Sequence, residues 1–176
     1  MSRVPLPDAS EIVDDAPELF ESLAVDDLHA ARAMGNAPHA LAGLFEYMDG
    51  LYASLPVDLR ELAILTTARF YDAEYEWHQH VDVAREAGVA AATIRAIGGR
   101  ECEGLPASTR VIVEAVRAQC AGRFSDAHYD ALAEHYSTEE IVAVSMLVGH
   151  YTGVGQFIAA MDLPLETEFV GWVPEE

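Results

Sequence analysis

The stretch PVDLRELAILTTARFYDAEYEWHQHVDVAREAG, residues 56–88, decides the fold. Pro56 and Asp58 open a helix in which Leu59, Leu62, Ala63 and Thr66 share one face. Residues 74–87 form a second helix, with Val81 and Ala84 on its apolar side and Gly88 as its stop. Outward from this pair, the same spacing recurs. Residues 38–51 carry Leu41, Leu44, Phe45 and Met48, and residues 108–120 carry Val111, Ile112, Ala115 and Val116. Shorter helices are predicted over 8–24, 26–34, 90–97 and 126–136. A long one is predicted over 137–161, opened by a capping box of Ser137 and Glu140. No alternation with period two runs for more than a few residues, so the fold class is all-α, in a single domain.

Residues 141–161 are about long enough to span a bilayer. They also hold Ser145, His150, Thr152, Gln156 and three glycines, with no basic flank following. A buried central helix is expected there, and the GxxxG spacing of Gly149 and Gly153 predicts close packing on another helix, within or between subunits.

The chain has 176 residues, 51% of them hydrophobic, enough for one folded core and unlike a disordered acidic tail. Thirty acidic residues oppose ten cations, a formal net charge of −20, and all ten cations are arginine. Such a surface repels phosphate, which argues against a nucleic-acid or anionic-membrane partner. The lysine-free acidity suits a salt-loaded, halophilic setting, where the Debye length is only a few ångströms. Cys102 and Cys120 are too far apart in sequence for a CxxC pair and too few for a disulfide framework. The prolines and Asp8 near the N-terminus leave no apolar signal core, so a cytoplasmic protein is expected.

The chemistry concentrates in the opening stretch. Glu76 and His80 stand four residues apart, one above the other on a helix. Such a pair is a proton-transfer unit when the carboxylate fixes the imidazole tautomer, and a simple helix-surface pair otherwise. His78 points about 200° away from His80, so the two do not chelate. A metal would need ligands from Glu61 or His150, and none is expected. Glu61 lies on a largely apolar helix; if buried it requires a partner, and His80 is a candidate. His150 and Tyr151 interrupt the last apolar run and must be bonded or line a cavity.

The run LRELAILTTARFYDAEYEWHQHVDVAREAGV resembles the carboxymuconolactone decarboxylase family, which includes the alkylhydroperoxidase D-like proteins. The shared features are Arg60-Glu61 and the helix ending His80-xxx-Ala84-xxx-Gly88. The segment HYTGVGQFIAAMDLPLE, residues 150–166, resembles the family's last helix and tail. The resemblance divides the chain into an extension over 1–36, a helical domain over 37–166 and a tail over 167–176. It implies a helical bundle of the alkylhydroperoxidase D-like type, with a site between helices, assembled as trimers or hexamers.

Thiol-using members have a CxxC motif before the histidine and an upstream glutamate. Aligned on His80, the glutamate falls on Glu61 and the cysteines fall on Ala73 and Glu76. Dithiol peroxide reduction thus lacks its nucleophile here. The decarboxylase branch fits better and implies small carboxylated lactones or keto acids as substrates, with no cofactor. On that reading His80 is the general acid/base, Glu61 orients it and Glu76 is a second proton carrier. Arg60 anchors a substrate carboxylate or makes a structural ion pair. Tyr75 and Trp77 form an apolar wall, and His150 and Tyr151 contact substrate. Two other readings stay open: a peroxiredoxin-like oxidoreductase using Cys102 or Cys120, and a non-catalytic small-molecule-binding oligomer.

The charge generates a first prediction. Urea unfolding should show a moderate loss of stability between molar salt and dilute buffer. Full stability in dilute buffer overturns the halophile reading.

Overall fold

Asp72 adopts a left-handed backbone, φ 53°, and breaks the opening stretch into two helices. The computed structural model describes residues 2–19 and 28–175. Within them lie nine α-helices and one 3-10 turn, with no strand. In chain order these are α1 (Ala9–Asp15), the 3-10 turn (Pro17–Leu19), α2 (His29–Met34), α3 (Pro38–Ala53), α4 (Val57–Tyr71) and α5 (Glu74–Glu86). They continue with α6 (Ala91–Gly98), α7 (Ala107–Cys120), α8 (Asp126–Ala133) and α9 (Thr138–Met161). The all-α expectation holds, and most boundaries fall within two residues of the sequence reading. The helix expected over 8–24 stops at Asp15 because Pro17 cannot continue its hydrogen bonding. Residues 20–24 and 26–27 of the expected helices lie outside the described residues.

The chain forms two compact units, residues 1–50 with 156–168, and residues 51–155 with 169–176. This differs from the sequence division, which kept 37–166 together. In the first unit Ile12, Ala16, Leu19 and Leu41 form a small core, with Val13, Met34, Leu44 and Phe45 against it. Arg32 ties its loops by donating to Leu6 O, Pro7 O and Asp8. His29 does the same at the other end through Glu166 and Pro164 O.

The second unit is organised by α4. Leu59, Leu62, Ala63, Ile64, Leu65 and Ala68 are all buried, as are Glu61, Thr66 and Thr67. A helix buried all round must satisfy its polar side chains internally. Thr66 and Thr67 do so by donating to Leu62 O and Ala63 O, at 2.7 and 2.8 Å. Helices α5, α6 and α7 pack around α4. The central helix is therefore α4, and the expectation for the last helix is corrected. Only 39% of the most apolar window of α9 is buried, and Val142 and Met146 are exposed. This is also the one described helix long and apolar enough to cross a membrane. The Ser137–Glu140 capping box forms as read, with Glu140 N donating to Ser137 Oγ and Ser137 N to Glu140. Among the described residues nothing lies within 4 Å of a Cβ placed at Gly149 or Gly153, so no other described helix packs closely on the GxxxG.

A second junction closes on the C-terminal residues. Trp77 is fully buried, donates its indole N–H to Gly171 O at 2.9 Å and packs on Trp172. Arg69 lies over the Trp172 ring and donates to Gly98 O. Gly98 leaves no room for a side chain: a Cβ would collide with the Trp172 carbonyl and lie 3.1 Å from the Trp77 ring. Gly98→Ala should therefore cost about 2 kcal/mol or more, read by urea unfolding. A wild-type midpoint would contradict this packing.

Candidate functional site

Glu61 is 1% exposed, and its carboxylate is the most deeply buried acidic group of the site. Charge at that depth survives only with partners. Helix α4 supplies one from the adjacent position: Arg60 Nε donates to Oε1 at 3.0 Å. Helix α5 supplies the other, as His80 Nδ1 lies 2.7 Å from Oε2. A carboxylate can only accept, so Nδ1 carries the hydrogen. The histidine tautomer is thereby fixed.

The other ring nitrogen is also engaged. His80 Nε2 lies 3.1 Å from the Tyr151 hydroxyl on α9, and the two rings meet edge-on, 5.1 Å apart. Tyr151 OH in turn lies 2.7 Å from Tyr52 OH, at the end of α3. The ring of Tyr52 lies under the Arg60 guanidinium, 4.0 Å from its centroid. Arg60, Glu61, His80, Tyr151 and Tyr52 thus close a circuit. Burial, foremost, with Tyr52 and Glu61 adding to it, holds the Tyr151 phenol well above its ordinary value. It stays a neutral hydroxyl that can accept one proton while giving another.

Glu76 departs from its expected place. It does not bond His80, whose nitrogens are both taken; of the two carboxylates read as partners for His80, the structure joins Glu61. Glu76 is 4% exposed, and neither carboxyl oxygen accepts a well-formed hydrogen bond from another residue. Its neighbour across the helix contact is Gly155, where an added Cβ would sit 2.8 Å from Oε1. Helices α5 and α9 therefore meet at two levels, His80 with Tyr151 and Glu76 with Gly155, each four residues on. The glycine leaves the space that the carboxyl occupies. Burial lifts Glu76 from 4.5 to about 7, against a smaller lowering by a backbone hydrogen bond.

The remaining predicted residues are dispersed. Tyr75 is buried, and Trp77 belongs to the junction with Gly171 and Trp172. The Trp77 indole faces the C-terminal residues. His150 packs edge-on against Tyr151, and burial lowers its affinity for a proton. His78 is half-buried, and its Nδ1 accepts from Val170 N. Arg60 makes the ion pair rather than standing apart as an anchor. Tyr52 and Gly155 were not read from sequence, because no local spacing links either to His80 or Glu76.

Neither cysteine sits by this network's atoms in any described bond. Cys102 Sγ lies 2.7 Å from Arg117 Nη1, a cationic neighbour that the sequence did not reveal. Burial raises the Cys120 thiol. Among the described residues no group of three or more His, Cys, Asp or Glu is placed to hold a metal ion. One described hollow, of about 550 Å³ and lined in part by Thr93, Arg95, Glu101 and Leu105, shares no residue with the network.

Comparison with known proteins follows the same lines. Residues 38–102 match the model of the carboxymuconolactone decarboxylase family. No curated protein matches the chain. The fold is similar to the alkylhydroperoxidase AhpD core of an uncharacterized peroxidase-related protein from Ralstonia eutropha JMP134. That match has a TM-score of 0.80 and 16% identity, covering 99% of this chain and 98% of the other. It is also similar to the debrominase Bmp8, in a cysteine-to-alanine variant in complex with 2,3,4-tribromopyrrole. There the TM-score is 0.77 and the identity 17%, covering 94% of this chain and 91% of the other.

The buried carboxyl yields a prediction about stability. Folded Glu76 holds its proton more tightly than the unfolded chain does. The stability this gives is complete below about pH 4.5 and drains away as pH rises through about 7. The loss is about 3 kcal/mol across that window. Glu76→Gln should flatten this part of the profile, so the variant gains on wild type at pH 8. Parallel urea-unfolding profiles for the two proteins would show that Glu76 does not titrate there.

Proposed function

We propose that this chain, whose residues 38–102 match the model of the carboxymuconolactone decarboxylase family and whose fold is alkylhydroperoxidase D-like, is a cofactor-independent decarboxylase of a small carboxylated lactone or keto acid. One observation carries the reading. A histidine held at both ring nitrogens stands one helical turn from a buried, unpartnered carboxyl. A buried carboxyl that burial makes hold its proton, set one turn from an imidazole anchored by a carboxylate, makes a proton-handling site.

In the reaction, the C–C bond to the substrate carboxylate breaks and its electron pair passes into the conjugated carbonyl as an enolate. CO₂ leaves, and one proton is taken up at carbon. The buried setting favours loss of charge from the departing carboxylate. Glu61 orients His80 and balances its charge; His80 supplies the proton. Glu76, which burial keeps protonated until pH rises to about 7, offers an O–H to the substrate's carbonyl or carboxylate. Tyr151 and His150 border this region, while Arg60 acts through Glu61 and Tyr52.

Thiol-based peroxidase chemistry is disfavoured because Ala73 and Glu76 stand at the two cysteine positions of thiol-using members. A cytoplasmic protein that self-associates as a trimer or hexamer, with no nucleic-acid or membrane partner, completes the proposal. The exposed apolar side chains Val142 and Met146 on α9 support self-association.

The assay is CO₂ release from a panel of carboxylated lactones and β-keto acids. His80→Ala and Glu61→Gln should each lose on the order of 10²-fold or more. A wild type inert on the whole panel removes the decarboxylase reading. A wild type that works, with both variants equal to it, removes the site.

A further inference from the structure

The hollow beside α6 has ends of opposite polarity, and the proton network uses none of its residues. It measures about 550 Å³, a size usual for a small-molecule site, and all its lining residues belong to the second unit. Thr93, Ala96 and Gly99 line it three residues apart, so it follows one face of α6 from the first turn to the end. The first turn is a donor end. Ala90, which caps α6, has no side-chain acceptor, and no acidic residue stands in the first turn. The N–H groups of Ala91 and Ala92 make no hydrogen bond among the described residues, and with the helix dipole they present positive potential. Thr93, in the same turn, is 8% exposed, and its hydroxyl makes no hydrogen bond among the described residues. A buried hydroxyl without a partner is costly, and one that lines a hollow is open to a ligand.

The other end is acidic. Gly99 caps α6 at its C-terminus, and the Glu101 carboxylate folds over it: a Cβ added at Gly99 would lie 3.5 Å from Oε1. Glu101 and Glu103 both line the hollow, and Glu101 stands at the negative end of the helix dipole. Ala92, Ala96, Leu105, Pro106 and Val173 supply apolar wall. Arg95 lines the hollow too but has a partner already, so no ligand contact is asked of it.

We infer that this hollow is a binding site for a small zwitterion, an ω-amino acid whose carboxylate meets the α6 N-terminus and the Thr93 hydroxyl and whose ammonium meets Glu101. At about 1.5 Å per residue, Thr93 and Gly99 stand about 9 Å apart along the helix. An α-amino acid carries both charges on one carbon and spans too little, whereas extended 6-aminohexanoate nearly matches that length. Charge selects the class. A simple carboxylate would face Glu101 and Glu103 in a chain of net charge −20, and a simple amine would leave the donor end unmet. A molecule with both charges and no net charge satisfies each end. The site is separate from the proposed decarboxylation and stands whether or not that reading does.

The test is a titration of the full chain with 6-aminohexanoate, followed by the backbone amide NMR signals of Ala91, Ala92 and Glu101. These signals should shift saturably, and hexanoate and hexylamine should each bind roughly fivefold more weakly or worse. Thr93→Val keeps the side-chain volume and removes the oxygen. It should weaken 6-aminohexanoate roughly threefold or more and leave hexylamine unchanged. Glu101→Gln, at an exposed position, should weaken 6-aminohexanoate to a similar degree and leave hexanoate no weaker. No saturable shift at these amides, or binding that both variants leave at the wild-type value, overturns the site. Hexanoate or hexylamine binding as tightly as 6-aminohexanoate overturns the zwitterion assignment.

Discussion

A carboxylate buried to 1% exposure is the constraint on which the second unit depends. Removing Glu61 from water costs several kcal/mol unless its charge is met by well-placed donors. Arg60 is at hand on the same helix, but the second donor must come from another element. This requirement pins α5 to α4 at His80. Once His80 is held there, its far nitrogen needs a partner of its own, and Tyr151 brings α9 into the same arrangement. Tyr52 extends the row to the end of α3, and the Arg60 guanidinium closes it. Four helices are thus positioned by successive satisfaction of one buried charge.

Glu76 shows the opposite solution to the same problem. It is as fully enclosed as Glu61 for practical purposes, yet no donor faces it. Its burial is tolerated because the group gives up charge rather than acquiring a partner. Gly155 makes this geometry attainable, since a side chain there would press on the carboxyl. The α5–α9 contact therefore carries a bonded imidazole at one level and a neutral acid at the next. Proton chemistry uses such asymmetry, because donor and acceptor states must coexist at one pH.

The scarcity of cations gives the arginines their particular work. With ten arginines against thirty acidic residues, most carboxylates must rely on solvent and salt. Several arginines pair with a carboxylate and hold a backbone carbonyl as well. Arg3 donates to Ala160 O, Arg85 to Glu175 O, Arg32 to Leu6 O and Arg69 to Gly98 O. A fork of several donors binds carbonyls and carboxylates together, which a lysine ammonium does less well.

What the sequence determined by itself was the helical class, the helix-turn-helix at 56–88 and the identity of Glu61, Glu76 and His80 as the groups worth following. These are legible because helical period, glycine and proline stops and local spacing are properties of neighbouring residues. His80 was also named as the candidate partner of a buried Glu61, but the choice between Glu61 and Glu76 was not legible. Spacing favoured Glu76 beside His80, since four residues suffice for contact on a helix. The tertiary structure gave that place to Glu61, nineteen positions earlier, and Tyr151 took the remaining nitrogen. Trp77 turned to the C-terminal residues, and α4 rather than α9 became the enclosed helix. Tyr52 and Gly155 acquire meaning only through contacts across 99 and 79 positions of chain. Such choices depend on which buried groups compete for the same donors, and that competition is settled only when the helices pack.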